Sequence, residues 1–214
     1  MQVSVIIATY GEPVWEELAE TRALPSAAAQ NPFQIVLHHE PDGTIASTRN
    51  NAAAQAKGEF LCHLDADDEL APGYLDAMQR AYGQEFPSSS PLLLTPAVSY
   101  VRKGRASPPQ FLDRGIPLTD DNWLVVGTLI QRDLFMRVGG FSDYSHGFED
   151  FALWSKAHRV GAKVVKVPAA IYMAHVNPQS KHREGWRNRS WQVETHLRVI
   201  AELDAWEQEQ RAVV

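Results

Sequence analysis

The chain has one cysteine, Cys62, so no internal disulfide framework can hold it together. That thiol lies in an apolar run, where a buried and inert side chain is the default. Positive charge is not in surplus: 20 Lys and Arg against 26 Asp and Glu give a formal net charge of −6. This balance argues against nucleic-acid binding over the whole surface. Neither a leader nor a membrane span is expected, because Met1-Gln2 carries no basic region and Val3 to Ala8 is far shorter than the ~20 apolar residues a transmembrane helix needs. A soluble, cytoplasmic chain with no transmembrane segment is expected. Glycine-rich phosphate loops of the dinucleotide or Walker type are absent, so a bound diphosphate would have to be held by metal. No Gly-x-Ser-x-Gly elbow occurs, which disfavours acyl transfer. The 214 residues suffice for one domain with a substantial core.

What is present is concentrated between Gly58 and Leu70. Phe60, Leu61, Cys62 and Leu64 read as a strand buried on both faces. Asp65, Asp67, Asp68 and Glu69 follow where that strand ends, and the C-terminal edge of a strand in an open α/β sheet is where ligands sit. A divalent cation, Mn²⁺ or Mg²⁺, would relieve the repulsion and bridge the acids to substrate phosphates. A solvated acidic turn ahead of a helix opened by Pro72 is the plainer alternative, compatible with the first. A calcium loop is disfavoured because Leu70 stands where its sharp turn needs glycine.

Val3 to Thr9 is rich in β-branched residues and predicts a first strand, closed by Tyr10-Gly-Glu-Pro13. Trp15 to Ala29 predicts a helix, Gln34 to Glu40 a second strand, and Ile45 to Ala56 an alanine-rich helix ended by Gly58. Strand and helix alternating at this spacing predict a mainly parallel sheet flanked by helices. Pro72 to Phe86 then reads as helix and Leu92 to Val101 as strand. Arg102 to Asp121, with its prolines and Lys103-Gly-Arg105, reads as an irregular excursion or mobile loop. Trp123 to Gln131 reads as strand, a short helix from Arg132 stops at Gly139-Gly140, and Phe151 to Val160 has helical spacing. Lys163 to Val167 and Ile171 to His175 read as two short strands split by Pro168. From Asn177 to Arg189 a loop carries Lys181, His182, Arg183 and Arg187 around Trp186, either a solvated approach to the last helix or a lid over phosphates. The last helix, about Ser190 to Gln210, places Val193, Leu197, Ile200 and Leu203 on one face. The expected division is a domain over residues 1–189 and a C-terminal helix over 190–214.

Ser4-Val-Ile-Ile-Ala-Thr-Tyr10, Arg49-Asn50, Ala56-Lys-Gly-Glu-Phe60, Leu64-Asp-Ala-Asp-Asp68, Val138-Gly-Gly-Phe141 and Glu149-Asp150 occur in the order and spacing of glycosyltransferase family 2. From Val3 to His175 the chain resembles a small inverting transferase of that family, and Val126 to His175 also resembles the C-terminal part of galactosyltransferase-like members. The resemblance implies an α/β domain of the GT-A fold, Rossmann-like and mainly parallel, with a C-terminal helix. It also implies a nucleotide-diphosphate sugar donor, a UDP-sugar first among candidates, and a hydroxyl acceptor on a glycan, protein or small molecule.

Carried over by position, Thr9, Tyr10 and Glu12 match the segment that holds nucleobase and ribose, and Arg49 matches the arginine near the base. Asp65 would approach the ribose and a metal-bound water, and Asp67 would bind the cation bridging the diphosphate, with Ala66 between them in the nucleotide-sugar site. Asp67, Asp65 and His175 are the expected ligands of Mn²⁺ or Mg²⁺. Asp150 matches the general base on the acceptor hydroxyl, with Glu149 as its adjacent competitor. Trp123 and Gly127 are the expected acceptor contacts. One departure bears on the nucleobase: the family's Val-Asp-Asp-Gly-Ser stretch is replaced by Leu37-His-His-Glu-Pro-Asp-Gly43, which leaves Glu40 or Asp42 as its carboxylate. On the residues alone, Arg49 could be a surface residue of an amphipathic helix, Glu149 and Asp150 first-turn acids, and His175 a half-buried histidine. The rival functions are a nucleotidyltransferase, which would show a Gly- and Arg-rich loop after the first strand, and a nucleotide-sugar-binding module without turnover.

Overall fold

Three apolar runs pair in parallel at one end of the sheet. They are β1 (Val3–Tyr10), β2 (Gln34–Glu40) and β3 (Phe60–His63), with β1 between the other two. The structure is a computed structural model that describes residues 1–144, 147–176 and 189–212. The crossover from β1 to β2 is helical, through α1 (Val14–Leu18), a π-helical turn (Ala19–Ala23) and α2 (Leu24–Ala28). The crossover from β2 to β3 is α3 (Ile45–Ala54). Up to this point the alternation read from the sequence holds.

Beyond β3 the sheet departs from the expected Rossmann-like, mainly parallel GT-A pattern. The next elements are β4 (Glu69–Leu70), α4 (Tyr74–Glu85), β5 (Leu92–Arg102), β6 (Arg105–Ala106) and β7 (Leu129–Gln131). They are followed by α5 (Arg132–Arg137), α6 (Glu149–Arg159), β8 (Lys163–His175) and α7 (Arg189–Ala212). The order across the sheet is β2-β1-β3-β7-β5-β8-β4, with β6 on β5. β7 runs antiparallel to both β3 and β5, and β4 runs antiparallel to β8. The result is a mixed, curled α/β sheet. A parallel neighbour needs a crossover element, whereas β7 is entered through a long irregular stretch that leaves its direction free.

Three local expectations change. Lys103 and Gly104 both have positive φ, 49° and 74°, the geometry of a two-residue hairpin turn. Part of the supposed irregular excursion is therefore the β5–β6 hairpin. The two strands expected around Pro168 are one, because that proline falls where the pairing with β5 shifts register between Pro96 and Ala97, a place where a missing N–H is tolerated. The strand expected over Trp123 to Gln131 is confined to its last three residues.

Alternate residues of the central strands fill two cores, as a period of two requires. Val5, Ile7, Phe60 and Cys62 pack with Tyr74 and Met78 on one face, and Ile6, Leu61 and Leu93 with Phe135 and Trp154 on the other. On α7 the contact stripe is Thr195, Val199 and Leu203, all buried, and Val199 and Leu203 meet Phe151 and Ala152 of α6. Val193 and Leu197 of the expected face are 54% and 60% exposed. Two ion pairs from Arg159, to Asp204 at 2.7 Å and Glu207 at 2.5 Å, pin the far end of the helix to α6. Among the described residues no helix is long and apolar enough to cross a membrane. The basic stretch around Trp186 lies outside the described residues.

Candidate active site

The C-terminal ends of β1, β2 and β3 share one edge of the sheet. Thr9 Oγ1 lies 2.9 Å from His39 Nδ1, and Tyr10 is in register with Glu40. Glu12 is exposed in the turn that follows. The Glu40 carboxylate meets His38 Nε2 at 2.8 Å, Asn51 Nδ2 at 2.7 Å and Thr48 Oγ1 at 3.1 Å. The hydrogen bond with His38 is the largest of the effects that hold its proton affinity below the ordinary range, followed by that with Asn51. Glu40 thus ties β2 to α3, while Asp42 is exposed.

α3 begins with a reciprocal cap, in which Ser47 N–H donates to Thr44 Oγ1 at 3.1 Å and Thr44 N–H to Ser47 Oγ at 2.8 Å. Such a cap stabilises a helix start by about 1 kcal/mol. One turn later the helix presents Arg49 inward, 5% exposed. Its Nη1 donates to Glu149 Oε1 at 2.8 Å and its Nη2 to Asp65 Oδ1 at 2.6 Å. The guanidinium lies 5.1 Å from the Phe141 ring centroid. Burial works against the charge, but the carboxylates of Asp65 and Glu149 outweigh it and hold the group protonated. The surface reading of Arg49 is thereby set aside. Asn50 grips the backbone of Phe141 twice, accepting from its N–H and donating to its C=O, each at 2.9 Å. The Arg-Asn and Val-Gly-Gly-Phe motifs, distant in sequence, are one contact in space.

The acidic turn sorts its members by burial. Asp65 and Asp67 are partly exposed, while Ala66 and Asp68 are buried. Asp65 N–H donates to Tyr172 Oη at 3.3 Å, and Arg22 Nη1 donates to the Asp67 carbonyl at 2.9 Å. Asp68 Oδ1 accepts from His175 N–H at 2.7 Å. Burial, then the charges of Asp65 and Asp67, push the Asp68 carboxyl well up. The fold does bring His175 to this turn from the far end of the chain, but its Nε2 meets Glu69. Among the described residues no group of three or more His, Cys, Asp or Glu side chains is arranged to hold a metal ion. Two partly exposed carboxylates on one turn match an ion that takes most of its ligands from a bound diphosphate and water.

The second acid pair opens α6. Phe148, immediately before it, has φ 72°, a left-handed conformation uncommon for a bulky residue and concentrated at functional sites. The two acids then diverge. Glu149 turns into the protein beside Arg49, and among the described residues its second oxygen meets no hydrogen-bond partner. Burial first, then the charge of Asp150, raise its proton affinity, and Arg49 opposes both. Asp150 stays partly exposed. Its Oδ2 accepts from Asn122 Nδ2 at 2.9 Å, and its Oδ1 from Phe151 N–H at 2.7 Å. Asn122 carried no signal in the sequence, because a single amide in a loop has no pattern to betray it.

The two expected acceptor contacts separate. Trp123 follows Asn122 in the loop beside Asp150, its Nε1 donating to the Ile116 carbonyl at 3.1 Å and its ring 5.6 Å from Lys166 Nζ. Gly127 is buried: its carbonyl accepts from Tyr74 Oη at 2.6 Å, and a Cβ there would stand 2.3 Å from Tyr172 Cδ2. It serves a close approach in the core.

Arg49 therefore joins two carboxylate groups, one on the turn after β3 and one at the start of α6, into a single charged network. Residues 20–90, roughly a third of the chain, match the model described as glycosyl transferase family 2. A 59-residue stretch is 36% identical to the putative glycosyltransferase EpsH of Bacillus subtilis (strain 168), covering 28% of this chain and 17% of that protein. Among solved structures, S. aureus TarS is similar over 84% of this chain and 37% of its own, at 21% identity and TM-score 0.61. TarS 1-349 in complex with UDP-GlcNAc matches over 86% and 61%, at 19% identity and TM-score 0.64. In complex with UDP it matches over 95% and 65%, at 20% identity and TM-score 0.65. The chain spans less than two thirds of the length of each of these relatives. Over residues 20–90 the chain is similar to glycosyl transferase family 2, the resemblance its motifs carried, and its fold is similar to that of TarS.

Proposed function

We propose that the chain transfers a sugar from a nucleotide-diphosphate donor, of the UDP-sugar class found with TarS, to an acceptor hydroxyl with inversion at the anomeric carbon. The observation that carries this reading is the Arg49 bridge between Asp65 and Glu149, which sets a donor-side turn and an acceptor-side acid pair in one fixed arrangement. The strand ends bearing Thr9, Tyr10 and Glu12 line the sheet edge where nucleotides bind in α/β proteins. Asp65 and Asp67 would hold a divalent ion, Mn²⁺ or Mg²⁺, together with the diphosphate oxygens. Such an ion neutralises charge on the leaving group.

Asp150 is the general base. It is the acid of the pair that remains partly exposed, whereas Glu149 is committed to Arg49. As the acceptor oxygen forms its bond to the anomeric carbon, its proton passes to the Asp150 carboxylate. The bond between that carbon and the diphosphate oxygen breaks, and the electron pair leaves with the diphosphate. A positioned carboxylate contributes on the order of 10²–10⁴-fold to such a step.

The test is calorimetric titration with UDP-GlcNAc in the presence of Mn²⁺, paired with an assay for released UDP over a panel of hydroxyl acceptors. Binding with release supports transfer. Binding without release under every acceptor would make the chain a binding module, and no binding of any nucleotide sugar would overturn the reading.

A further inference from the structure

Asp150 is held by a strap that reaches it from the C-terminal helix. Asn122 Nδ2 donates to Asp150 Oδ2, and the amide cannot flip, because Asn122 Oδ1 accepts from Leu124 N–H at 3.2 Å. Two residues earlier in the same loop, the Asp120 carbonyl lies 2.7 Å from His196 Nε2. A carbonyl only accepts, so this nitrogen carries the proton. The loop enters Asn122 from a tight turn over Pro117 to Asp121, with Asp120 and Asp121 N–H both donating to the Pro117 carbonyl, at 2.9 and 3.1 Å. The His196 ring in turn stacks on Phe151, the residue after Asp150, with centroids 4.9 Å apart and planes 20° apart, and lies 5.7 Å from Phe148. The contacts close a ring: Asp150 to Asn122, along the loop to Asp120, across to His196, and through Phe151 back to Asp150.

We infer that His196 and Asn122 are positioning residues for Asp150, and that α7 is a working part of the acceptor side. Resting on the proposed transferase reading, this assigns to the C-terminal helix the aim of the base. The helix is well placed for that task. Val199 and Leu203 are buried against α6 one and two turns further along, so His196 sits on a helix fixed to the element that bears Asp150. Without the bond from His196 the turn from Pro117 to Asn122 loses its outer anchor, and the carboxylate loses the donor that selects its orientation. Small errors in such an orientation cost rate far more than binding.

Three variants separate the two contacts of His196. His196→Phe keeps an aromatic ring on Phe151 and removes the donor. His196→Gln keeps a donor and removes the ring. Asn122→Ala removes the last link. The inference expects kcat to fall about tenfold or more in His196→Phe and Asn122→Ala, with donor affinity and melting temperature near wild type, and His196→Gln to recover most of the rate. A second readout is independent of turnover. The side-chain amide protons of Asn122, followed by ¹⁵N NMR, should exchange slowly in the wild type and rapidly in His196→Phe. Unchanged exchange in His196→Phe overturns the strap whether or not transfer is observed. Normal kcat in Asn122→Ala, in a chain that does transfer sugar, overturns the positioning role. Faster exchange in a chain that transfers nothing upholds the strap and sinks the transferase reading alone.

Discussion

Arg49 and Glu149 are a hundred residues apart in the chain and form a buried ion pair at 2.8 Å. The pair decides how the adjacent acids of α6 divide their labour. Glu149 spends one oxygen on the guanidinium and is sealed from solvent, so it serves the network's geometry. Asp150 is left for the solvent side.

Removing one partner of a buried pair strands the other, at a typical cost of about 3–5 kcal/mol. Arg49→Met should therefore lose stability on that scale in urea melts, because Glu149 would remain buried without its guanidinium partner. Adding Glu149→Gln should recover a large part of the loss, since a neutral amide is far cheaper to bury. Additive losses in the double variant would show that the two side chains do not interact.

Gly127→Ala tests the packing behind the acidic turn. The new methyl would meet the Tyr172 ring, whose hydroxyl accepts from Asp65 N–H. Overpacking of this kind costs about 1–3 kcal/mol, and pushing the ring aside should also weaken donor binding. A variant with wild-type stability would mean that the core yields easily there.

The legible part of the molecule was the part with period and punctuation. β-branched content marked β1, a second apolar stretch marked β2, and the run into Asp65 marked β3 and the sheet edge that carries the candidate site. Direction was not legible for β7, because three residues carry no sign of which neighbour they face. β4 and β6 are shorter still, and Lys103-Gly104, read from the sequence as part of an irregular excursion, is the turn of the β5–β6 hairpin. The motifs supplied Arg49, Asp65 and the Glu149-Asp150 pair, but not their wiring. That wiring depends on Asn122, Tyr172 and His196, which are ordinary polar residues until the fold brings them together, and on Glu69, which the sequence marked as one of the acidic cluster but not as the partner of His175.

Metal dependence is expected to reside in Asp67. Chelation should weaken donor binding about tenfold or more, and Mn²⁺ should restore it. Asp67→Ala should bind donor equally poorly with and without Mn²⁺ while its melting temperature stays near wild type. Donor affinity indifferent to chelation in the wild type would contradict the assignment of the turn as a metal site.

Glu40 predicts a pH dependence of stability. Its folded proton affinity is depressed, chiefly by the hydrogen bond with His38, so it stabilises the fold above the ordinary glutamate range. That contribution is lost as pH falls through the depressed value. Thermal melts should show the wild type losing stability faster than Glu40→Gln below about pH 4, near the ordinary glutamate value. Parallel curves for the two proteins would show that the Glu40 bonds are no stronger than those it makes with water when unfolded.

The most direct measurement compares Asp150→Asn with Glu149→Gln, scoring donor affinity and acceptor turnover separately. The account predicts that Asp150→Asn binds the nucleotide sugar as wild type does and transfers it on the order of 10²–10⁴-fold more slowly. Glu149→Gln, which still offers Arg49 an oxygen, should retain much more of the rate. Asp150→Asn turning over normally, with Glu149→Gln inactive, would contradict the assignment of the base.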